Sequence, residues 1–325
     1  RKTWRLLLVF CLGACPTLAL AATTPDRPNI LWITSEDNAK HFVRAFDPNG
    51  APMPNIERLA AEGIKFTRAF SNAPVCSAAR SGLISGAYGP RVGAQYHRRA
   101  QPAPMPEGLR MYPWYLRDAG YYVSNNAKTD YNFTGNPWND SSASATWRKR
   151  APGQPFFHVQ NYMTTHESRL HFTAEEMATV RTQTDLVSIT LLPQHPDTAL
   201  FRYTYARYHD QHRILDREIG ELLAQLEADG LRDNTIIFYF GDHGGVVPGT
   251  KGYLRETGLH VPLVVRFPER WKHLAPASAG SEISGFVSFV DFAPTLLHLI
   301  GLAGPEAMDG KPFLGAGINR IELEQ

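Results

Sequence analysis

Short apolar runs and amphipathic stretches alternate along the chain. Asn29 to Thr34 (NILWIT) is apolar without alternation and reads as a parallel strand buried on both faces. Two acids, Glu36 and Asp37, follow at once. MPNIERLAAEG places Pro54 at a helix start and Gly63 at its end, with Ile56, Leu59 and Ala60 on one face. IKFTRAF alternates as a strand does, and the segment from Cys76 enters a helix that stops near Gly86. RMYPWYLRDAG and YYVSNNAK predict a helix and a strand; PFFHVQNY predicts a strand leading into MTTHES. The longest helical pattern is YTYARYHDQHRILDREIGELLAQLEADG, with Ile214, Ile219, Leu222, Leu223 and Leu226 on one stripe. NTIIFYF is the clearest buried strand and runs directly into GDHGG, after which come HVPLVVRFP and the helical VDFAPTLLHLIG.

Strands alternating with helices predict an α/β fold, a mostly parallel central sheet sandwiched by helices. In such sheets ligands bind beyond the carboxyl ends of the strands. Glu36, Asp37, Asp242 and His243 all fall there. Residues 131–155 and 168–197 carry no clear period and read as long loops, which in a compact enzyme build the pocket.

The first residues change the picture of charge and cysteine. Arg1, Lys2 and Arg5 precede an apolar Leu6–Leu12 run, and Ala19-Leu20-Ala21 offers a cleavage site, so residues 1–21 read as a signal peptide and the chain as exported, periplasmic or secreted. Leu12-Gly13-Ala14-Cys15 also resembles a lipoprotein cleavage box, which would anchor the chain through Cys15. No later stretch is apolar enough to span a bilayer. Removing residues 1–21 takes three of the 33 Lys+Arg, leaving 30 against 31 Asp+Glu and a net charge of about −1, which argues against a nucleic-acid partner. Of three cysteines only Cys76 then remains, an exported thiol with no disulfide partner.

Glu36, Asp37, Asp242 and His243 supply the carboxylate oxygens a hard cation such as Ca²⁺ requires, plus an imidazole. Singly, each acid could simply cap a helix; together, beside the glycines of GDHGG, they point to a metal. Cys76 is open to three readings from its own chemistry: a small buried hydrophobe, a chance free thiol, or a nucleophile in need of a base.

The string Cys76-Ser77-Ala78-Ala79-Arg80 resembles the Cys-x-Pro/Ala-x-Arg pattern of the type I sulfatases, in the alkaline-phosphatase-like superfamily. The resemblance runs from Pro28 to about Leu314. RPNILWITSED is similar to that family's first strand and metal acids, with Glu36 where Asp is commoner. AGYYVSNNAKTDY is similar to its second signature, placing the lysine at Lys128 and Asp130 where a histidine is usual. TTHES puts His166 at the active-site histidine, GDHGG supplies Asp242 with His243 where many members carry Asn, and GTKGYLRETGLHVPLVVRFP supplies Lys251. SED, NAKTDYN, TTHES and GDHGG together are closest in pattern to the heparan N-sulfatase-like branch.

This resemblance implies that residues 22–325 are a sulfatase catalytic domain, without the smaller C-terminal subdomain usual in the family. It implies that a formylglycine-generating enzyme oxidises Cys76 to formylglycine, and that the hydrated aldehyde attacks the sulfur of a sulfated saccharide, such as a glycosaminoglycan fragment, beside one Ca²⁺. Arg80 would hold the nucleophile, Lys128 and Lys251 would neutralise transition-state charge, and His166 or Lys251 would protonate the leaving oxygen or nitrogen. Two further readings stand beside this one: a phosphodiester or phosphonate monoester hydrolase of the same superfamily, and a binding-only chain.

The remaining candidates each have a plain alternative. His97 is either a substrate contact or an exposed loop histidine, and Asp130 takes a position where the family contacts sulfate or leaving group. His41 and His171 read as loop residues, and His209, His212 and His298 as surface or packing positions. YTYARY reads as a core stripe, while Arg98-Arg99 and Arg148-Lys149-Arg150 read as solvated faces that could meet an anionic saccharide. RYHDQHR lacks a zinc-ligand arrangement.

Overall fold

The computed structural model describes residues 26–325. The signal-like segment, with Cys11 and Cys15, lies outside the described residues. In chain order the elements are β1 (Asn29–Ser35), α1 (Pro54–Glu62), β2 (Ile64–Phe70), α2 (Cys76–Ser85), α3 (Tyr112–Asp118) and β3 (Tyr122–Asn126). Then come β4 (Asp140–Ser142), β5 (Phe156–Tyr162), α4 (Ala174–Thr179), α5 (Ala199–Ala228), β6 (Thr235–Gly241) and α6 (Glu256–Leu259). The last are β7 (His260–Val261), β8 (Leu263–Arg266), β9 (Glu282–Ser288), α7 (Phe292–Leu299) and α8 (Arg320–Glu324).

The described strands form one 9-stranded sheet of order β4-β3-β5-β1-β6-β8-β2-β7, with β9 paired to β2. Pairings from β4 through β6 are parallel, as is β2 with β9; β8 is antiparallel to β6 and β2, and β7 to β2. The central strand β1 explains the layering. All seven of its residues are buried. Ile30 and Trp32 face one core with α2, α3 and α7, whereas Leu31 and Ile33 face the other with α1 and α5. A two-residue period covered on both sides is why the strand reads as a continuous apolar run. Trp32 anchors its side, with Phe157, Phe240 and Phe292 edge-on at 5.1, 5.2 and 5.5 Å.

Four expectations change. The stripe of α5 buries Leu215 rather than Ile214, together with Ile219, Leu222, Leu223 and Leu226, at the 4-3-1-3 spacing of one helix face. Residues 131–155 contain β4, which extends the sheet beside β3 in the register Ser124↔Asp140. Residues 168–197 contain α4, started by a capping box in which Thr173 and Glu176 exchange hydrogen bonds. His41, expected in a loop, sits in a single 3₁₀ turn, Lys40–Phe42.

Three histidines are packed neutral in this core. Burial lowers His158 on β5 to about 4, and on α5 His209 to about 4 and His212 to about 3. These values lie below the ordinary 6.5, so an unfolded chain takes up the protons first as the pH falls. Their contribution is fully present above pH 6.5 and is lost on descending toward about 4, on the order of 3 kcal/mol for a fully buried ring. The melting temperature is therefore expected to drop steadily between pH 6.5 and 4.5; a flat profile would show that these rings are not held dry.

Candidate active site

Strand register builds the site. Parallel pairing sets Ser35 of β1 opposite Gly241 of β6. The residues that follow, Glu36-Asp37 and Asp242-His243, therefore leave the sheet side by side. Gly241 is required here: a Cβ would lie 2.1 Å from the Asn38 carbonyl oxygen, where the chain beyond β1 crosses over it. Asp37 makes the turn at φ 51°, a left-handed conformation that side chains other than glycine rarely adopt. Its backbone is held at both ends. The N–H donates to Asp242 Oδ1 at 2.9 Å, and the Tyr208 hydroxyl donates to its carbonyl.

Cys76 is the first residue of α2, a helix buried over its whole length. Its Sγ lies 3.3 Å from His243 Nε2 and 3.9 Å from Asp37 Oδ1, and burial and Asp242 push the thiol up. This buried thiol has polar neighbours on two sides. Arg80, one turn on, is also buried. It donates Nε to Asp242 Oδ2 at 3.3 Å and Nη1 to Asn161 Oδ1 at 2.9 Å, while Nη2 pairs with Glu36. One planar fork thus joins the ends of β1, β5 and β6.

Two lysines flank this centre. Lys128, beyond β3, donates to Glu36 Oε2 at 2.8 Å. Lys251 lies 2.8 and 3.0 Å from the two Asp37 oxygens and 3.2 Å from Glu167. Burial opposes the charge on both, but Glu36 and Asp37 outweigh it and raise each lysine above its ordinary value. Burial also opposes the charged form of His243; Asp242 and Asp37 overcome it and hold the ring well above 6.5. Burial pushes the Asp37 and Asp242 carboxyls up, yet His243 with Lys251 and Arg80 brings both below the usual range.

These residues suit a divalent cation. Glu36, Asp37, Asp242 and His243 are fully buried. Donor atoms of Asp37, Cys76, Asp242 and His243 lie within 4.8 Å of one another, and those of Glu36, Asp37, Cys76 and His166 form an overlapping group of the same size. Three carboxylates converging where water is excluded are an oxygen donor set for a doubly charged ion, which His243 would join as a ligand on giving up its ring proton. Glu36 is shared with Arg80 and Lys128, so it joins the acid cluster to the cationic wall.

His166 reaches the site, half-buried, with its Nδ1 engaged by Ser168 Oγ at 3.0 Å. His97 is exposed, and its Nδ1 meets Ser77 Oγ at 3.2 Å. Asp130 faces Arg98 through two 3.1 Å hydrogen bonds and Lys128 at 3.7 Å, so its carboxylate already serves two cations.

Sequence reasoning missed most of the supporting contacts. Asn161 carries no motif, Ser77 and Glu167 lie inside quoted motifs without a role, and Arg98 was read only as part of a solvated basic pair that could meet an anionic saccharide. Tyr208 does more than fill a core stripe: its ring packs on Phe42 at 4.9 Å while its hydroxyl supports Asp37. His212, expected to be a surface or packing residue, bonds Asn38 Oδ1 through Nε2 at 3.0 Å. Their spacing, two polar tips four residues apart on an otherwise apolar helix face, is the signal that could have found them. Tyr208→Phe is expected to weaken cation binding by roughly 10- to 100-fold, as loss of a ligand-orienting partner does. Calorimetric titration of Ca²⁺ measures this; an unchanged affinity would reduce Tyr208 to packing.

Known proteins resemble this chain over most of its length. The family model for sulfatases matches residues 28–143 and 142–302. An ulvan-active sulfatase of Formosa agariphila is 34% identical over 91% of this chain and 56% of its own length. A dog N-acetylgalactosamine-6-sulfatase is 25% identical over 96% of this chain and 69% of its own. The chain spans little more than half the length of the first of these relatives. Among solved structures, a protein in complex with its substrate D-glucosamine-2-N,6-O-disulfate superposes with TM-score 0.66 at 18% identity, covering 92% of this chain and 80% of that one. A phosphonate monoester hydrolase from Silicibacter pomeroyi superposes with TM-score 0.68 at 16% identity, covering 89% and 76%. The matched family model spans most of the described chain, strand ends and all, and the protein belongs to the sulfatase family.

Proposed function

We propose that this protein hydrolyses sulfate esters or sulfamates of a saccharide, using a formylglycine made from Cys76 and one Ca²⁺ held by Glu36, Asp37, Asp242 and His243. The observation that carries the reading is the position of Cys76. It opens a buried helix with Sγ between Asp37 and His243, and Arg80 on the next turn joins Glu36 to Asp242. The named relatives act on sulfated saccharides or carry sulfatase names, which supports the same substrate class.

The cation would supply Lewis acidity toward a sulfate oxygen, and the hydrated aldehyde an oxygen nucleophile able to release sulfate afterwards. The chain's own residues supply the rest. Arg80 fixes the first turn of α2 against three strand ends. Lys128 and Lys251 stand on either side with positive charge already in place, so charge developing on the transferred group is met without reorganisation. As the S–O or S–N bond breaks, the leaving atom takes a proton from His166 or Lys251. Maturation requires a formylglycine-generating enzyme, and the leader-like residues 1–21 favour export of the chain. Among the described residues no helix is long and apolar enough to cross a membrane.

The test is a peptide mass spectrum of protein co-expressed with a formylglycine-generating enzyme, followed by turnover of an aryl sulfate, N-sulfoglucosamine, an aryl phosphonate and an aryl phosphodiester. An aldehyde at Cys76 with preference for the sulfur substrates is expected. An unconverted thiol under conditions that mature a control sulfatase would favour a binding-only chain, and preference for the phosphorus substrates would favour the phosphonate or phosphodiester reading.

A further inference from the structure

The cations around Asp130 form part of a longer chain of ion pairs. From the buried acids a line of alternating charge runs outward: Glu36 to Lys128 at 2.8 Å, Lys128 to Asp130 at 3.7 Å, Asp130 to Arg98 at 3.1 Å. Side-chain exposure along it rises from 0% and 15% through 14% to 57%. The line starts in the candidate metal site and ends on a guanidinium in solvent.

Arg98 is held in place by more than this ion pair. Its backbone N–H donates to Ser77 Oγ at 2.7 Å, and Ser77 is the residue after Cys76. The same hydroxyl meets His97 at 3.2 Å. The loop carrying Arg98 is thus pinned to the first turn of α2. Both Arg98 and Asp130 adopt left-handed backbone, at φ 51° and 52°. Such conformations persist where the surroundings over-determine them, and they cluster at ligand clamps. Asp130 takes two of the five guanidinium N–H groups, through Nε and Nη2, leaving Nη1 without a protein partner among the described residues. A rigid fork with its free edge turned to solvent, beside a reaction centre, is arranged to take a planar or tetrahedral anion.

We propose that Arg98 is a specificity residue that binds a second anionic group of the substrate, a carboxylate or a further sulfate, while Asp130 orients Arg98 rather than touching the substrate. The substrate class is then a polyanionic saccharide, and a singly sulfated neutral sugar loses this contact. The inference rests on the saccharide reading above, but it is tested by binding and so fails separately.

In protein carrying Cys76→Ala, calorimetry would measure binding of three sulfated disaccharides: one with a uronic acid, its carboxyl-reduced counterpart, and a counterpart with a second sulfate in place of the carboxylate. Arg98→Ala is expected to weaken the uronate or the disulfate ligand by about 10-fold or more, the scale of one charge-assisted hydrogen-bonding contact, and the carboxyl-reduced ligand by less than about 2-fold. Whichever anionic ligand loses more identifies the group read. Asp130→Asn should weaken the same ligand to a smaller extent. A parent that binds none of the three, or an Arg98→Ala variant whose losses are equal on all three or absent, overturns the proposal. Turnover of an aryl sulfate by the Cys76-bearing chain tests the hydrolase reading independently.

Discussion

A Cys76→Ala protein is expected to fold like its parent and to turn over sulfate esters at least about 10⁴-fold more slowly, the scale on which nucleophile removal acts in well-studied hydrolases. The two halves of the expectation have separate causes. Among the described residues the Cys76 sulfur makes two polar contacts, at 3.3 and 3.9 Å, with groups that keep other partners: His243 remains between Asp37 and Asp242, and Asp37 remains on Lys251. Deleting one buried sulfur costs on the order of 1 kcal/mol, visible as a melting shift of a few degrees. Under the proposed chemistry, by contrast, the variant cannot form the aldehyde whose hydrate supplies the attacking oxygen. Cys76→Ser sharpens the test. A serine can accept sulfate but cannot expel it as a hydrated aldehyde can, so the serine variant should give one equivalent of product and stop. Sustained turnover by either variant would end the formylglycine reading.

Arg80→Lys is the second large effect. Lysine keeps the charge but replaces a three-branched planar donor with a point. Arg80 serves Asp242, Asn161 and Glu36 on three different strand ends, with 3% of its surface exposed. A single ammonium can satisfy at most part of that set, leaving a buried carboxylate or amide unpartnered at about 1–3 kcal/mol each. Stability should fall by a few kcal/mol. The rate kcat/KM should fall roughly 10²–10⁴-fold, because the acids that Arg80 spaces would no longer be held in position. Denaturant melts and steady-state kinetics on one preparation measure both. A variant with parental kcat/KM would remove Arg80 from the machinery, whatever its stability.

What the sequence made legible divides along physical lines. Glu36, Asp37, Asp242 and His243 could be placed together before any coordinates, because buried parallel strands announce themselves as apolar runs and their ends must share one edge. Cys76 and Arg80 were legible only through the resemblance of Cys76-Ser77-Ala78-Ala79-Arg80 to a family pattern, since a lone thiol four residues before an arginine says nothing by itself. Partnerships set by tertiary approach were not legible. Nothing in NAKTDYN says that Asp130 meets Arg98 thirty-two residues earlier, or that Asn161, at the end of a strand pattern, receives Arg80. β4 was missed because Asp-Ser-Ser has no alternation; it exists by pairing with β3. α4 carries a legible capping box, but no apolar run follows it to mark a helix.

The burial of α2 sets an order of events in the life of the chain. Cys76, 0% exposed, lies in a helix enclosed on all sides, and no protein-sized catalyst can grip it there. Under the proposed chemistry, conversion must precede closure of the sheet around that helix. A polypeptide that folds first becomes a stable but inert product, and adding the maturing enzyme to it later would not rescue it. For anyone producing this protein, the useful variable is timing during synthesis, and yield of folded material says nothing about yield of competent molecules.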